Sequence, residues 1–395
     1  MKWIWREGRL AWPPLCVAIF TTGLILAFDY CWRIIKAPFW QFALAGAAAW
    51  TIGVAVIMAV AVAVGRRGAR RSYELKKKSD FSAFRKNANW YKLKFLRRWC
   101  DFDPEENLVI SAYERGGSTW LAELLRLIPK TAVFTEPLYL GELNPFRALN
   151  FSWNQYIPED AEWPEAAEMF EAMMRGKLLS TWTSSTYSFV TADRMILKFC
   201  FANALLPWLT RQFNFKYTPI CLVRHPFAIA ASKLNLLGWD QPFDGYRIPD
   251  GPFKERYLEH EAFFSGIRTQ AEALVANWCM AALVPLRNNR NNQDWITVYY
   301  ENLLTDPENE LRRIFDRWQL PVPDKLYTRA GRPSSTTQNP TFTDDKHKQL
   351  AKWQSLFDKD QIARMMSVLE YFNVEEYGSD VYPHPQRATK EKVKA

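Results

Sequence analysis

Apolar residues are gathered into two long runs near the amino terminus and dispersed in short runs thereafter. From Phe39 to Gly65 the only strongly polar side chains are Gln41 and Thr51, a stretch longer than the ~20 residues a helix needs to cross a bilayer. Trp12 to Phe28 is shorter and opens with Pro13-Pro14. The pattern predicts a membrane anchor over residues 1–65, with two transmembrane helices as a hairpin. Arg33 and Lys36 after the first run, followed by a longer apolar run, speak against a cleaved signal peptide. Small residues recur every four positions at Ala45, Ala49 and Gly53, and again at Ala55, Ala59 and Ala63. Such stripes let helices approach closely and suit a homo-oligomer, although Ala-rich spans also produce this spacing through composition alone.

From about residue 105 short apolar runs alternate with helical periodicity, the signature of an α/β domain with a mostly parallel sheet flanked by helices. Strands are predicted at Leu108–Ser111, Ala132–Thr135, Met195–Phe199, Pro219–Val223 and Trp295–Tyr300. Helices are predicted to begin near Ser118, Pro226 and Pro307, the last with Asp306 as N-cap. The Gly/Pro/Asp-rich stretch Leu237–Phe253 reads as a surface loop or lid. The expected organisation is anchor 1–65, basic juxtamembrane linker 66–104, globular domain 105–378 and polar tail 379–395.

A hydrophobic fraction of 48% with 18 Trp excludes a disordered chain. The net charge of +9 is localised: between Arg66 and Arg98 thirteen Lys/Arg face only Glu74 and Asp80, a balance of +11. The rest of the chain carries the difference, about −2, which argues against a nucleic-acid groove on the globular domain. Basic residues directly after the apolar run place that end in the cytoplasm by the positive-inside rule, whether one helix spans or two. Phe81, Phe84, Tyr91 and Phe95 interleave with basic residues there, which fits either an amphipathic helix on an anionic leaflet or a solvated linker. Six scattered Cys without C-x-x-C, and four His without H-x-x-x-H, form neither a disulfide framework nor a metal site.

Two segments carry candidate chemistry. The first strand runs into Tyr113-Glu114-Arg115-Gly116-Gly117-Ser118-Thr119-Trp120 and then an apolar helix. A strand, a glycine turn and a helix N-terminus present backbone N–H groups to a phosphate-like anion. Ser118 and Thr119 add hydroxyls and Arg115 a fixed charge, but no Walker A lysine is present. The second segment is Cys221-Leu222-Val223-Arg224-His225-Pro226, with Ser232 in the following helix. Arg224 at a strand end and Ser232 within the first helical turns suit an anion above the carboxyl edge of the sheet.

Tyr-Glu-Arg-Gly-Gly-Ser-Thr-Trp resembles the 5′-phosphosulfate loop of sulfotransferases that use 3′-phosphoadenosine-5′-phosphosulfate (PAPS), and Val223-Arg224 with Ser232 is similar to their 3′-phosphate motif. Arg194 to Pro207, Tyr299-Tyr300-Glu301-Asn302-Leu303-Leu304 and Lys352 to Phe372 resemble later elements of that family, in the same order. The resemblance implies a P-loop-like fold and an enzyme that uses PAPS as co-substrate without a metal, which the apolar runs would anchor in a membrane. It implies sulfuryl transfer to a hydroxyl or amine, and the predicted membrane tethering points to a glycan, glycolipid or other membrane-associated acceptor. It also implies that Arg115 and Gly116, Gly117, Ser118 and Thr119 hold the sulfate and 5′-phosphate, and that Trp120 stacks on adenine. Arg224 and Ser232, with Arg332 as a further candidate, would hold the 3′-phosphate, and Lys198 the transferring sulfuryl group.

Two residues depart from the cytosolic pattern. Arg115 stands where Lys is usual, as in the membrane-bound carbohydrate members, and acts by charge rather than as a proton donor. Cys200 stands where a His base is usual, so Glu136 in Thr135-Glu136-Pro137 becomes the candidate base; its other reading is a helix cap or a partner of Arg115. His225 reads as structural. The competing functions are a catalytically inactive PAPS- or nucleotide-binding membrane scaffold and a P-loop-type kinase. The family's carbohydrate members work in the Golgi lumen, against the cytoplasmic placement that the charges predict.

Overall fold

In the computed structural model the described residues are 95–141, 144–179, 186–238, 242–335 and 345–384, together with a two-stranded antiparallel ribbon at Trp5–Arg6 and Arg9–Leu10. The chain divides into a unit at residues 1–86 and a second at residues 87–395. The apolar runs at 12–28 and 39–65, and the charged segment from Arg66 to Lys94, lie outside the described residues. No helix among the described residues is long and apolar enough to cross a membrane.

The second unit is built on five parallel strands: β1 (Leu108–Ala112), β2 (Thr131–Thr135), β3 (Arg194–Phe199), β4 (Ile220–Val223) and β5 (Ile296–Tyr299). Their spatial order is β2-β3-β1-β4-β5. Both faces are covered, which is why the strands read as continuous apolar runs rather than as alternating ones. Leu108, Ile110 and Ala112 pack into one core, toward helices α1 (Ser118–Leu125) and, further along the chain, Pro307–Trp318. Val109, Met195 and Leu197 face the opposite side, into a core with Phe146, Phe170 and Trp208. A third core joins β4 to α2 (Pro226–Leu237), the long buried helix α3 (Gln270–Leu286) and, near the carboxy terminus, Lys359–Tyr371.

Helix α4 (Pro307–Trp318) begins as expected: Pro307 occupies its first turn and the Asp306 side chain accepts from the Asn309 N–H, a cap worth about 1 kcal/mol. Helix α5 (Lys359–Tyr371) is closed by a reciprocal capping box between Asp358 and Gln361. Within Leu237–Phe253, residues 242–250 have no regular secondary structure. Yet this strap is fixed: Tyr246 stacks on Phe264 with centroids 4.1 Å apart and donates to Asn277 Oδ1 at 2.8 Å.

Both expected domain borders move outward. Leu96, Cys100 and Phe102 are buried in the core, and Arg97 Nε donates to the Leu179 carbonyl at 2.7 Å. The end of the expected linker is therefore part of the domain; its charges masked three apolar positions facing inward. At the other end Val381 is buried and the Asp380 carbonyl faces His225 Nε2 at 2.9 Å, so the packed domain continues past 378.

Candidate active site

Parallel strands end together, and the residues that follow them meet at the carboxyl edge. Lys198 in β3 pairs in register with Thr135 of β2 and Ile110 of β1. The residue after Thr135 is Glu136, whose N–H donates to the Lys198 carbonyl at 2.8 Å. Register alone thus brings Glu136 beside Lys198. Lys198 Nζ donates to Glu136 Oε1 at 2.9 Å and to Thr119 Oγ1 at 3.2 Å. The Lys198 side chain is 2% exposed and that of Glu136 26%. The partner of Glu136 is thus Lys198, not Arg115 as the alternative reading had it. Cys200 Sγ lies 3.5 Å from Glu136 Oε1 and 3.5 Å from Ser118 Oγ. Burial pushes its thiol up to about 11, so it stays protonated near neutral pH.

The turn from β1 to α1 is tightly determined. Gly116 N–H donates to the Tyr113 carbonyl at 2.9 Å, Arg115 has φ 64° and Gly117 φ 95°. A Cβ on Gly117 would sit 2.5 Å from Tyr300 Cδ2, and one on Gly116 2.7 Å from the Tyr113 carbonyl oxygen. Only glycines let the backbone pass here and point its N–H groups along the start of α1. Glu136, at φ 48°, is a second non-glycine residue in the left-handed region; such strain gathers at functional sites.

The two anion motifs meet directly. Arg115 Nε donates to Ser232 Oγ at 3.0 Å, and Arg224 Nη1 donates to the Arg115 carbonyl at 2.9 Å. Arg224 lies over the Tyr300 ring at 4.5 Å, while its Nε is buried without a hydrogen-bond partner. A buried guanidinium N–H left unpaired is what an anionic ligand would satisfy. Trp120 is buried, edge-on to Tyr300 at 5.8 Å, with Nε1 donating to the Arg332 carbonyl at 3.1 Å. Arg332 is therefore joined to the loop through its main chain, and its side chain is exposed.

His225 is structural, as expected. Its Nδ1 accepts from the Phe227 N–H at 3.1 Å, which leaves Nε2–H for the Gly378 and Asp380 carbonyls. Burial pushes its pKa down to about 3. Its own N–H donates to Glu301 Oε1 at 2.9 Å, and Tyr377 donates its hydroxyl to Glu301 Oε2 at 2.9 Å. Glu301 thereby ties the end of β5 to the Arg224 motif, and burial raises its pKa.

Two features were not found from sequence. Tyr300 forms a wall against Gly117, Trp120 and Arg224 at once. Glu114 is ion-paired with Lys233, one residue after Ser232. Neither has a local signal, since the contacts join residues far apart along the chain; the only hint was Tyr300 within the Tyr-Glu-Asn-Leu segment.

The model of the sulfotransferase family matches residues 107–324, over half of the chain. The chain belongs to the sulfotransferase family. Solved structures similar to it include the sulfotransferase domain of the Synechococcus PCC 7002 olefin synthase, at 18% identity and TM-score 0.38 over 69% of this chain and 96% of that one. Mouse sulfotransferase SULT7A1 complexed with PAP is 18% identical, with TM-score 0.37, over 73% of this chain and 90% of that one. Sulfotransferase STF9 from Mycobacterium avium is 12% identical, with TM-score 0.36, over 70% and 79%. No curated protein matches the chain. In this sulfotransferase the matched span holds Arg115, Lys198, Arg224 and Ser232, and ends before Arg332.

Proposed function

We propose that the protein transfers a sulfuryl group from PAPS to a hydroxyl or amine of a membrane-associated acceptor. The observation that carries this reading is the contact between Arg115 and Ser232, with Arg224 bound to the same loop. It joins a 5′-phosphosulfate loop to a 3′-phosphate motif, as a donor with phosphates at both positions requires.

The donor supplies an activated sulfur whose bond to the 5′-phosphate oxygen breaks as the acceptor oxygen or nitrogen bonds to it. The chain supplies position and charge. The loop 115–119 binds the 5′ end through its N–H groups and hydroxyls. Arg115 and Lys198 neutralise charge on the sulfuryl and bridging oxygens, and that charge-assisted stabilisation is the main rate term. Glu136 takes the acceptor proton. Arg224, Ser232 and Arg332 hold the 3′-phosphate, and Tyr300 backs the Arg224 guanidinium. Trp120, being buried, shapes the adenine side rather than offering a free face. The anchor over 1–65 holds the domain at the bilayer, on the cytoplasmic side.

Calorimetric titration tests the donor. PAP, the desulfated product carrying both phosphates, should bind more tightly than ADP by about 1.5–3 kcal/mol, the worth of a charge-assisted contact. Arg224→Ala should erase that difference. Equal affinity for the two nucleotides in the unmodified protein defeats the assignment.

A further inference from the structure

Beside the donor loop lies an open cleft of about 760 Å³, within the about 300–1,000 Å³ of small-molecule sites. Its lining begins where each chemistry-bearing strand ends: Tyr113 and Glu114 precede Arg115, Tyr139 and Leu140 follow Glu136, and Phe201 follows Cys200. We propose that this cleft is the acceptor site and that it takes a neutral, hydroxyl-rich ring, a glycoside, seated by its flat face on Trp153 with Tyr139 standing beside it. The assignment rests on the sulfuryl-transfer reading above.

Three observations select that chemistry. Trp153 and Tyr139 are 43% and 38% exposed at the cleft and pack edge-to-face at 5.4 Å, while Phe201 supports Trp153 at 4.7 Å. They form a rigid aromatic corner in which the exposed Trp153 ring is suited to the C–H face of a sugar. Polar groups stand around it: Asn154 Oδ1 is buried without a partner, and Asn150, Ser152 and Asn277 share the lining. A wholly apolar acceptor would leave the Asn154 Oδ1 dry and unpaired. Four of the five charged residues of the lining are held in ion pairs, Glu114 with Lys233, Arg247 with Asp244 and Asp250 with Lys254, and only Arg147, which donates to the Leu140 carbonyl, has no carboxylate partner among the described residues. A polyanionic acceptor would call for several such cations, so a neutral one fits better.

The cleft is also preformed. The buried Gln155 side chain accepts from Ser152 N–H at 2.9 Å and donates to the Pro252 carbonyl at 2.7 Å. It thereby clamps the aromatic wall to the strap that carries Arg247 and Asp250. Gly251 permits the approach, since a Cβ there would lie 3.1 Å from the Asn150 carbonyl oxygen.

Saturation-transfer NMR tests the site without donor, on the full-length protein in a detergent lacking a sugar head group. Methyl glucoside and methyl galactoside should receive saturation on their ring protons. Trp153→Ala should abolish the effect, Trp153→Phe should retain it, and PAP affinity should be the same in all three proteins. With labelled PAPS, the KM for the glycoside should rise by about tenfold or more in Trp153→Ala while kcat holds. Saturation of 2-naphthol or of a glucuronate oligosaccharide in place of the neutral glycosides overturns the proposal, as does an unaffected Trp153→Ala. If PAP fails to bind, the donor reading falls, and the NMR result still decides what the cleft holds.

Discussion

Lys198 carries its stem through the core to the sheet edge, and its ammonium is held there by Glu136 and Thr119. A buried ammonium needs such partners, because a charge without them is strongly penalised. In the proposed mechanism Glu136 therefore has two tasks, holding Lys198 and taking the acceptor proton. Glu136→Gln separates them: the amide oxygen still accepts from Lys198, but the basic carboxylate is gone. Turnover should fall by about 10²–10⁴-fold, the usual worth of general-base catalysis, while PAPS affinity is maintained. Cys200 sits against the same carboxylate but holds its proton, with a pKa pushed up to about 11, so Cys200→Ala should keep most activity. Steady-state kinetics beside a PAPS titration check both variants. Normal turnover in Glu136→Gln, or loss of PAPS binding, removes Glu136 as the base.

The turn between β1 and α1 works only as a unit with the Tyr300 ring. Gly117→Ala places a methyl group 2.5 Å from that ring in a backbone with φ 95°. The strain should cost about 1–3 kcal/mol of stability. Displacing Tyr300 also removes the surface under Arg224, so PAP affinity should drop as well. Gly245 is the control: its φ is 105° but a Cβ there meets nothing within 4 Å. Gly245→Ala should thus lower the melting temperature without changing PAP binding, and Gly117→Ala with wild-type PAP affinity would refute the coupling. The turn itself was readable in the sequence because glycines, hydroxyls and a strand-to-helix change of period coincide there. The five strands and the starts of α1, α2 and α4 were equally readable, from apolar runs and caps. What escaped were contacts created by topology. Parallel register puts Glu136 on Lys198, and strand order brings Tyr300 and Glu301 to the Arg224 motif, neither of which spacing along the chain reveals. The border at 104/105 failed for another reason: charge dominated the reading of a segment whose Leu96, Cys100 and Phe102 face the core.

Across the whole chain, charge and apolar length are segregated. Residues 66–98 carry +11 and the remainder about −2, so attraction to an anionic leaflet resides in that segment, at about 1 kcal/mol for each Lys or Arg near the surface. In the proposed arrangement the globular domain contributes little to that attraction, and the anchor over residues 1–65 sets its place. The proposed topology puts everything after Gly65 on the cytoplasmic side, the leaflet that attracts such a segment. The opposing expectation is a lumenal domain, as in the carbohydrate members of the family. Protease treatment of sealed vesicles separates the two. In vesicles with the cytoplasmic face outward, the domain should be digested without detergent; in vesicles of the opposite orientation it should survive until detergent is added. Replacing Arg66, Arg67, Arg70 and Arg71 with Gln should weaken that orientation, since short-loop Lys/Arg beside a span set it. A carboxy terminus protected in cytoplasm-out vesicles would place the domain in the lumen or periplasm and overturn the charge argument.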